Sequence, residues 1–130
     1  MAVIFPDIEK TLVSYLNSVL PANGATGVRV GTKKAQPDEA QPEQELVLTA
    51  AYNAEQDYVR KTASVTIEVY ADTYAAANDL SRLVAALMPG CVGEEIKLAE
   101  VRLGPVRISE DSTQEKRYLD VGLVVKGTDL

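Results

Sequence analysis

The sequence contains no histidine, no tryptophan, one cysteine (Cys91) and one phenylalanine (Phe5) among its 130 residues. Without histidine, a protein loses the usual general base near neutral pH, the commonest zinc ligand and the usual pH switch. A single cysteine can form neither an internal disulfide nor a cysteine-based zinc cluster, and it fits production in a reducing compartment. These absences argue against zinc enzymes and against histidine-dependent catalysis.

The chain also has no long hydrophobic run and no excess of positive charge. No stretch reaches about 18 apolar residues, so we expect no membrane span, and residues 1–6 are too short and lack the basic region of a signal peptide. Thirteen Lys and Arg against nineteen Asp and Glu give a net charge of −6. This charge argues against a general nucleic-acid binder, because phosphate binding needs clustered cations. It is compatible with a protein past which DNA slides without sticking.

The overall composition is that of an ordinary globular domain. Apolar residues make up 46% and charged residues 25% of the chain, and this length is enough to bury a core without disulfides. We find no internal repeat and no linker. The sequence therefore predicts one domain over residues 1–130.

Two segments show helical periodicity. Residues 7–20 carry one apolar stripe. Pro6 and Asp7 are typical of a helix start, and Pro21 and Gly24 are typical of a helix end. Residues 74–87 carry a second stripe, which Asp72 or Thr73 can cap. Pro89 and Gly90 follow that stripe, so we expect the second helix to end there.

Five segments are predicted to be strands: residues 27–32, 46–53, 59–71, 96–108 and 116–126. The interruption at Gly104 and Pro105 either confines the fourth strand to an edge of the sheet or splits it, and we also expect a bulge or bend near Ala99 and Glu100. The order α-β-β-β-α-β-β predicts an α+β fold, in which an antiparallel sheet of about five strands is covered on one face by two helices.

Two polar segments are candidates for contacts with other chains. Residues 33–45 contain two prolines and fit no period, which predicts a long polar arm, and residues 53–58 form a predicted hairpin tip. Projecting segments of a rigid domain often carry function. The candidate contact residues are Lys33, Lys34, Asp38, Glu39, Glu43, Tyr52, Tyr58 and Arg60.

No pattern in the sequence indicates catalysis, a metal or a cofactor. The acidic pairs Asp38/Glu39, Glu94/Glu95 and Glu110/Asp111 are typical of solvated carboxylates. Cys91 has no histidine to activate it. A set of scattered cations fits two interpretations, pairing across strands of the sheet or matching charges on another subunit. The set comprises Lys33, Lys34, Arg60, Lys61, Arg102, Arg107, Lys116 and Arg117.

Four stretches together resemble the tail terminator (tail completion) proteins of long-tailed bacteriophages. They are FPDIEKTLVSYLNSVLP, VRVGTKKAQPDEAQPEQELVLTAAY, ASVTIEVYADTYAAANDLSRLVAALM and VRLGPVRISEDSTQEKRYLDVGLVVKG, and they cover nearly the whole chain. The resemblance implies a virion protein at the junction of tail and neck, assembled in the host cytoplasm. It implies a hexameric ring that caps the head-proximal end of the tail tube and stops its growth.

The partners implied by the resemblance are further copies of this chain, the tail tube protein and the stopper protein of the head connector. Genomic DNA would pass through the ring without specific binding, and no membrane is involved. Three other interpretations stay open: another neck or tube subunit of a phage, a small cytoplasmic α+β binding domain, and, least favoured by the residues, an enzyme.

Overall fold

A computed structural model describes residues 2–36, 42–56, 60–109 and 113–130. The elements are β1 (Val3–Ile4), α1 (Ile8–Ala22), β2 (Arg29–Gly31), β3 (Gln44–Gln56), β4 (Arg60–Ala71), α2 (Tyr74–Leu87), a 3₁₀ turn (Met88–Cys91), β5 (Ile96–Ile108), β6 (Glu115–Lys126) and β7 (Thr128–Asp129). The α+β class and its two helices are confirmed. Two short strands, β1 and β7, add to the predicted order.

The main sheet has five strands in the order β2-β3-β4-β6-β5 and is mixed. Three neighbouring pairs are antiparallel, whereas β2 and β3 are parallel. The prediction of an antiparallel sheet is therefore wrong at this edge. A parallel pair needs a long connection that returns the chain to its starting end. The segment between Gly31 and Gln44, which includes most of the predicted arm, makes that return.

The chain ends form a small second sheet that the sequence patterns do not predict. In it β1 pairs antiparallel with β7, with Val3 opposite Asp129 and Ile4 opposite Thr128. Strands of two residues are too short to show a period of two. A close approach at Gly127 helps to seat them, since a Cβ there would lie 2.3 Å from Val3 Cγ1.

Both helices pack on the same face of the main sheet. The apolar stripe of α1 contributes Ile8, Leu12, Leu16 and Leu20 to the core, and α2 adds Leu80 and Val84. Helix α1 lies over β2 and β3, while α2 lies over β4, β5 and β6. Alternate residues of the strands complete this core, among them Val65, Ile67, Leu119, Val121 and Leu123. The other face of the sheet has no helix over it in the described part of the chain.

The observed ends of the two helices agree with the predicted start and stop residues, except at the end of α1. The Lys10 amide donates to the Asp7 carboxylate at the start of α1 (3.1 Å), and the Ala76 amide donates to the Thr73 hydroxyl at the start of α2 (3.1 Å). Thr73 rather than Asp72 is thus the cap of α2. Helix α1 runs on to Ala22, so that Pro21 lies in its last turn instead of ending it.

Strand β3 is longer than predicted, and β5 is irregular. The polar residues after Tyr52 look like a turn in the sequence, but the ladder with β4 continues to a pair between Gln56 and Lys61 after a register shift. Strand β5 is an edge strand that runs unsplit from Ile96 to Ile108, which is the first of the two predicted alternatives. Its register shifts fall on both sides of the expected bend, between Ile96 and Leu98 and on either side of Leu103.

Candidate functional site

The candidate contact residues that the structure describes fall into two groups at opposite ends of β3. Lys33, Lys34 and Glu43 lie near the start of this strand, whereas Tyr52 and Arg60 lie near the hairpin it forms with β4. Because a strand rises about 3.3 Å per residue, Glu43 and Tyr52 are about 30 Å apart. The other predicted residues lie outside the described ranges: Asp38, Glu39, Tyr58 and the acidic pair Glu110/Asp111.

The base of the arm is organised around Glu45, whose side chain is fully buried. The Lys34 ammonium is 2.6 Å from Glu45 Oε1, and the Ala35 amide donates to Oε2 at 2.9 Å. The Arg29 guanidinium, from β2, also donates to Oε2. Lys34 is therefore bound within its own chain, while Lys33 is exposed.

Gln114, at the start of β6, holds the returning end of the arm. Its buried side chain donates to the carbonyl of Pro42 (2.9 Å) and to the carboxylate of Asp72 (3.0 Å). It also accepts a hydrogen bond from Lys34 Nζ at 3.3 Å. The Asp72 amide in turn donates to the carbonyl of Glu43 at 3.1 Å. Both ends of the segment are thus fixed to the sheet.

At the other end of β3, Tyr52 fastens the N-terminal segment to the domain. Its hydroxyl donates to the Pro6 carbonyl (2.7 Å), and its ring centroid lies 5.7 Å from that of Phe5. The Lys61 ammonium lies 4.9 Å from the Phe5 ring centroid. Burial, followed by the nearby carboxylates Glu95 and Asp7, raises the pKa of Tyr52 to about 12.

The cations of the sheet include clear cases of pairing within the chain. Lys116 lies 2.7 Å from Glu68, and Arg107 lies 3.3 Å from Glu115, so these two are paired across strands. Arg117 differs because it is buried on the helix side of the sheet. There its guanidinium donates to Asn78 Oδ1 of α2 (3.1 Å) and lies 4.9 Å from the Tyr74 ring centroid.

The face without helices carries exposed apolar side chains along the edge strand β5. Leu98 is 52% exposed and Leu103 is 46% exposed. In the ladder, Leu98 lies opposite Val124 and Leu103 opposite Asp120. The side of β5 away from β6 has no partner strand in the described part of the chain. Exposed leucines beside an unpaired strand edge are the features of a contact surface.

The described residues contain little that points to catalysis. Glu95 accepts a hydrogen bond from the Thr11 hydroxyl (2.8 Å), and burial raises the pKa of the Cys91 thiol, which disfavours the reactive thiolate. A groove of about 680 Å³ near the chain ends has charged walls that include Glu94, Glu95, Lys97 and Lys126. Within the described ranges, no three acidic or cysteine side chains lie close enough together to hold a metal ion.

Sequence reasoning does not find the buried polar residues. The local pattern puts Glu45 in a polar arm, and Gln114 lies between two predicted strands, where nothing marks it as buried. One signal is available at Glu45: Val47 lies on the same face of β3 and is apolar, which indicates that this end of the face is covered. Val47 is indeed only 6% exposed.

No protein-family model matches this sequence, and no curated protein is similar enough to it to give a match. Among the described residues, no helix combines the length and the apolar character needed to cross a bilayer.

Proposed function

We propose that this protein is a tail terminator of a long-tailed bacteriophage. In this role it is a structural protein of the virion that forms a ring, with six subunits as in the family it resembles, on the head-proximal end of the tail tube. The ring stops the tube from growing and joins the tail to the stopper of the head connector. DNA passes through its lumen.

The observation that best supports this role is the separation of the two contact groups. A tube grows by head-to-tail contacts that continue until a subunit offers a face the next one cannot bind. A terminator therefore needs two unlike faces. The base of the arm, with Glu43, lies about 30 Å along β3 from Tyr52, and Arg60 lies beyond Tyr52 at the hairpin end. The two groups also differ in sequence. We assign them to different neighbours in the particle.

Contacts between subunits of the ring are assigned to the β5 edge. An unpaired edge with exposed leucines is a liability for a protein that stays monomeric, whereas a second chain would cover it. Leu98 and Leu103 supply this apolar surface. The net charge of −6 suits the lumen of such a ring, because an acidic wall repels the phosphates of passing DNA.

Native mass spectrometry over a range of protein concentrations, with electron microscopy of the same samples, separates this role from its competitors. A terminator gives a discrete oligomer, with six subunits expected, that stops growing. Tubes that lengthen with protein concentration identify a tube subunit and contradict the proposal. A stable dimer that holds a small ligand favours a binding domain instead.

A further inference from the structure

Glu45 occupies an unusual position for a buried carboxylate. In β3 the neighbouring residues Leu46 and Leu48 point into the core, so Glu45 lies on the face of the sheet that has no helix in the described part of the chain. A glutamate on such a face is ordinarily solvated, yet the Glu45 side chain has no exposed surface. Its hydrogen-bond donors come from β2 and from the entry to the arm.

Three donors converge on this carboxylate, and two of them belong to the entry of the arm. Lys34 Nζ lies 2.6 Å from Oε1, and the Ala35 amide lies 2.9 Å from Oε2. The third donor is the guanidinium of Arg29. The Lys34 ammonium also lies 4.6 Å from the centroid of the Tyr70 ring, which is the cross-strand neighbour of Glu45.

Stability alone does not account for this arrangement. The desolvation cost of burying two charges offsets much of their mutual attraction. Apolar residues of similar volume therefore often replace a buried ion pair without loss of stability. The better attested use of a buried ion pair is to specify one arrangement of the chain over others. The bonds of Glu45 therefore fix the path that the chain takes where the arm leaves the sheet and where it rejoins the sheet.

We propose that Glu45 is the positioning residue of the arm. Its carboxylate holds the entry at Lys34 and Ala35 to the start of β3, and Gln114 binds the carbonyl of the returning Pro42 nearby. An arm whose two ends are fixed before assembly loses less conformational entropy when it meets a partner. This inference rests on the proposed function, in which this end of the domain contacts a neighbour in the particle.

The first test needs no partner and uses the intact chain with Glu45→Met. Methionine fills a similar volume but accepts none of the three hydrogen bonds, and Arg29 and Lys34 can turn to solvent because they are 39% and 33% exposed. We expect hydrogen exchange of the Ala35 amide, followed by NMR, to become about tenfold faster or more, because one hydrogen bond to a charged group is lost. The thermal midpoint is measured on the same samples, because the loss of this acceptor also lowers the stability of the domain.

Two further variants keep this test decisive. Asp120→Asn removes one carboxylate from the same face, where Asp120 accepts from the Thr66 hydroxyl at 2.9 Å, and leaves the arm untouched. It should not change exchange at Ala35. Lys34→Met removes one of the three donors and leaves Glu45 in place. It therefore tests whether Glu45 holds the entry of the arm even if Glu45→Met fails to fold. We expect it to speed Ala35 exchange by a smaller factor.

The second test measures capping of phage tails at increasing protein concentration. If Glu45 positions the arm, Glu45→Met raises the concentration needed for half-maximal capping about tenfold at a temperature well below its own thermal midpoint. A purely structural role would make capping follow the midpoint. Asp120→Asn should cap like the wild type.

The outcomes separate the proposed role of Glu45 from the proposed terminator function of the protein. If Ala35 exchange is unchanged in both Glu45→Met and Lys34→Met, the Glu45 carboxylate does not hold the entry of the arm and the proposal is overturned. Faster exchange with normal capping shows that the anchored arm is not used for capping, which overturns the positioning role and leaves the terminator proposal standing. A wild-type protein that never caps tails contradicts the terminator proposal, and the exchange experiment still decides whether Glu45 holds the arm.

Discussion

The hydroxyl of Tyr15 on α1 donates a hydrogen bond to the carbonyl oxygen of Leu87, the last residue of α2, at 2.5 Å. A Cβ at Gly90 would lie 2.7 Å from the same hydroxyl oxygen, so the glycine leaves room for this contact. Carbonyl groups in the last turn of a helix lack the usual partner one turn further on. Leu87 is the N-cap of the 3₁₀ turn after α2, and Tyr15 adds a partner from the other helix, which joins the two helices directly in addition to their shared core.

Replacing Tyr15 by phenylalanine removes this bond while keeping the ring. We expect the free energy of unfolding to fall by about 1–2 kcal/mol, because the Leu87 carbonyl loses a partner in a partly buried place. Urea denaturation measures the change. Tyr118→Phe is the matched control, since no described residue bonds to its hydroxyl. Equal losses in the two variants would contradict the role given to Tyr15.

Gly127→Ala tests the packing that holds the N-terminal strand β1 against β7. The added methyl would meet Val3 Cγ1 at 2.3 Å and Phe5 Cε1 at 3.0 Å, and such overpacking costs about 1–3 kcal/mol. We expect β1 to detach from β7, which exposes the Leu130 amide that donates to the Ala2 carbonyl (3.0 Å). Faster hydrogen exchange at Leu130 reports the detachment. Gly93→Ala is the control, because nothing lies within 4 Å of a Cβ at that position.

Tyr52 makes the stability of the protein depend on alkaline pH. Its pKa is raised from 10.0 to about 12 by burial and then by Glu95 and Asp7. Well below its ordinary pKa the phenol is neutral in both the folded and the unfolded chain. Between the ordinary pKa of 10.0 and the raised pKa of about 12, the unfolded chain loses this proton first, so stability falls as pH rises. Stability must therefore fall less steeply in Tyr52→Phe, as measured by urea denaturation at several pH values; parallel curves would contradict this.

Leu103→Lys tests the β5 edge as the contact between subunits. The leucine is 46% exposed, so the change should alter the stability of the isolated chain by no more than about 0.5 kcal/mol. A buried, unpaired ammonium in the ring would be costly, and we expect the oligomer to be lost in native mass spectra. Leu130→Lys, at a residue 82% exposed near the chain end, is the control. An oligomer that survives Leu103→Lys moves the subunit contact elsewhere.

Much of the fold can be predicted because local patterns and the final packing agree. Helix α2 has its predicted bounds, since the Thr73 cap and the apolar spacing select the same residues. The alternation in β4 and β6 places Val65, Ile67 and Val121 in the core, as expected. Alternation does not encode strand direction, however, and a strand as short as β2 gives no other signal, so its parallel pairing with β3 is not predictable from the sequence.

The candidate site is less predictable because its key residues act across long separations in sequence. Glu45 looks like one more acid in a polar segment, and only the fold brings Arg29 and Lys34 onto it. Gln114 lies 80 positions from Lys34, and no local pattern links them. Lys34 and Tyr52 are predicted to contact other chains because of their residue types and their positions in projecting segments. In the structure, the side chains of both residues bind within their own domain.

Negative-stain electron microscopy of the protein mixed with sheared phage tails addresses the proposed function directly. The image to expect is a ring-shaped cap at one end of each tube, at the end that faces the head, with tubes that no longer extend when tube protein is added. Tails that remain uncapped and continue to grow in the presence of excess protein would contradict a terminator.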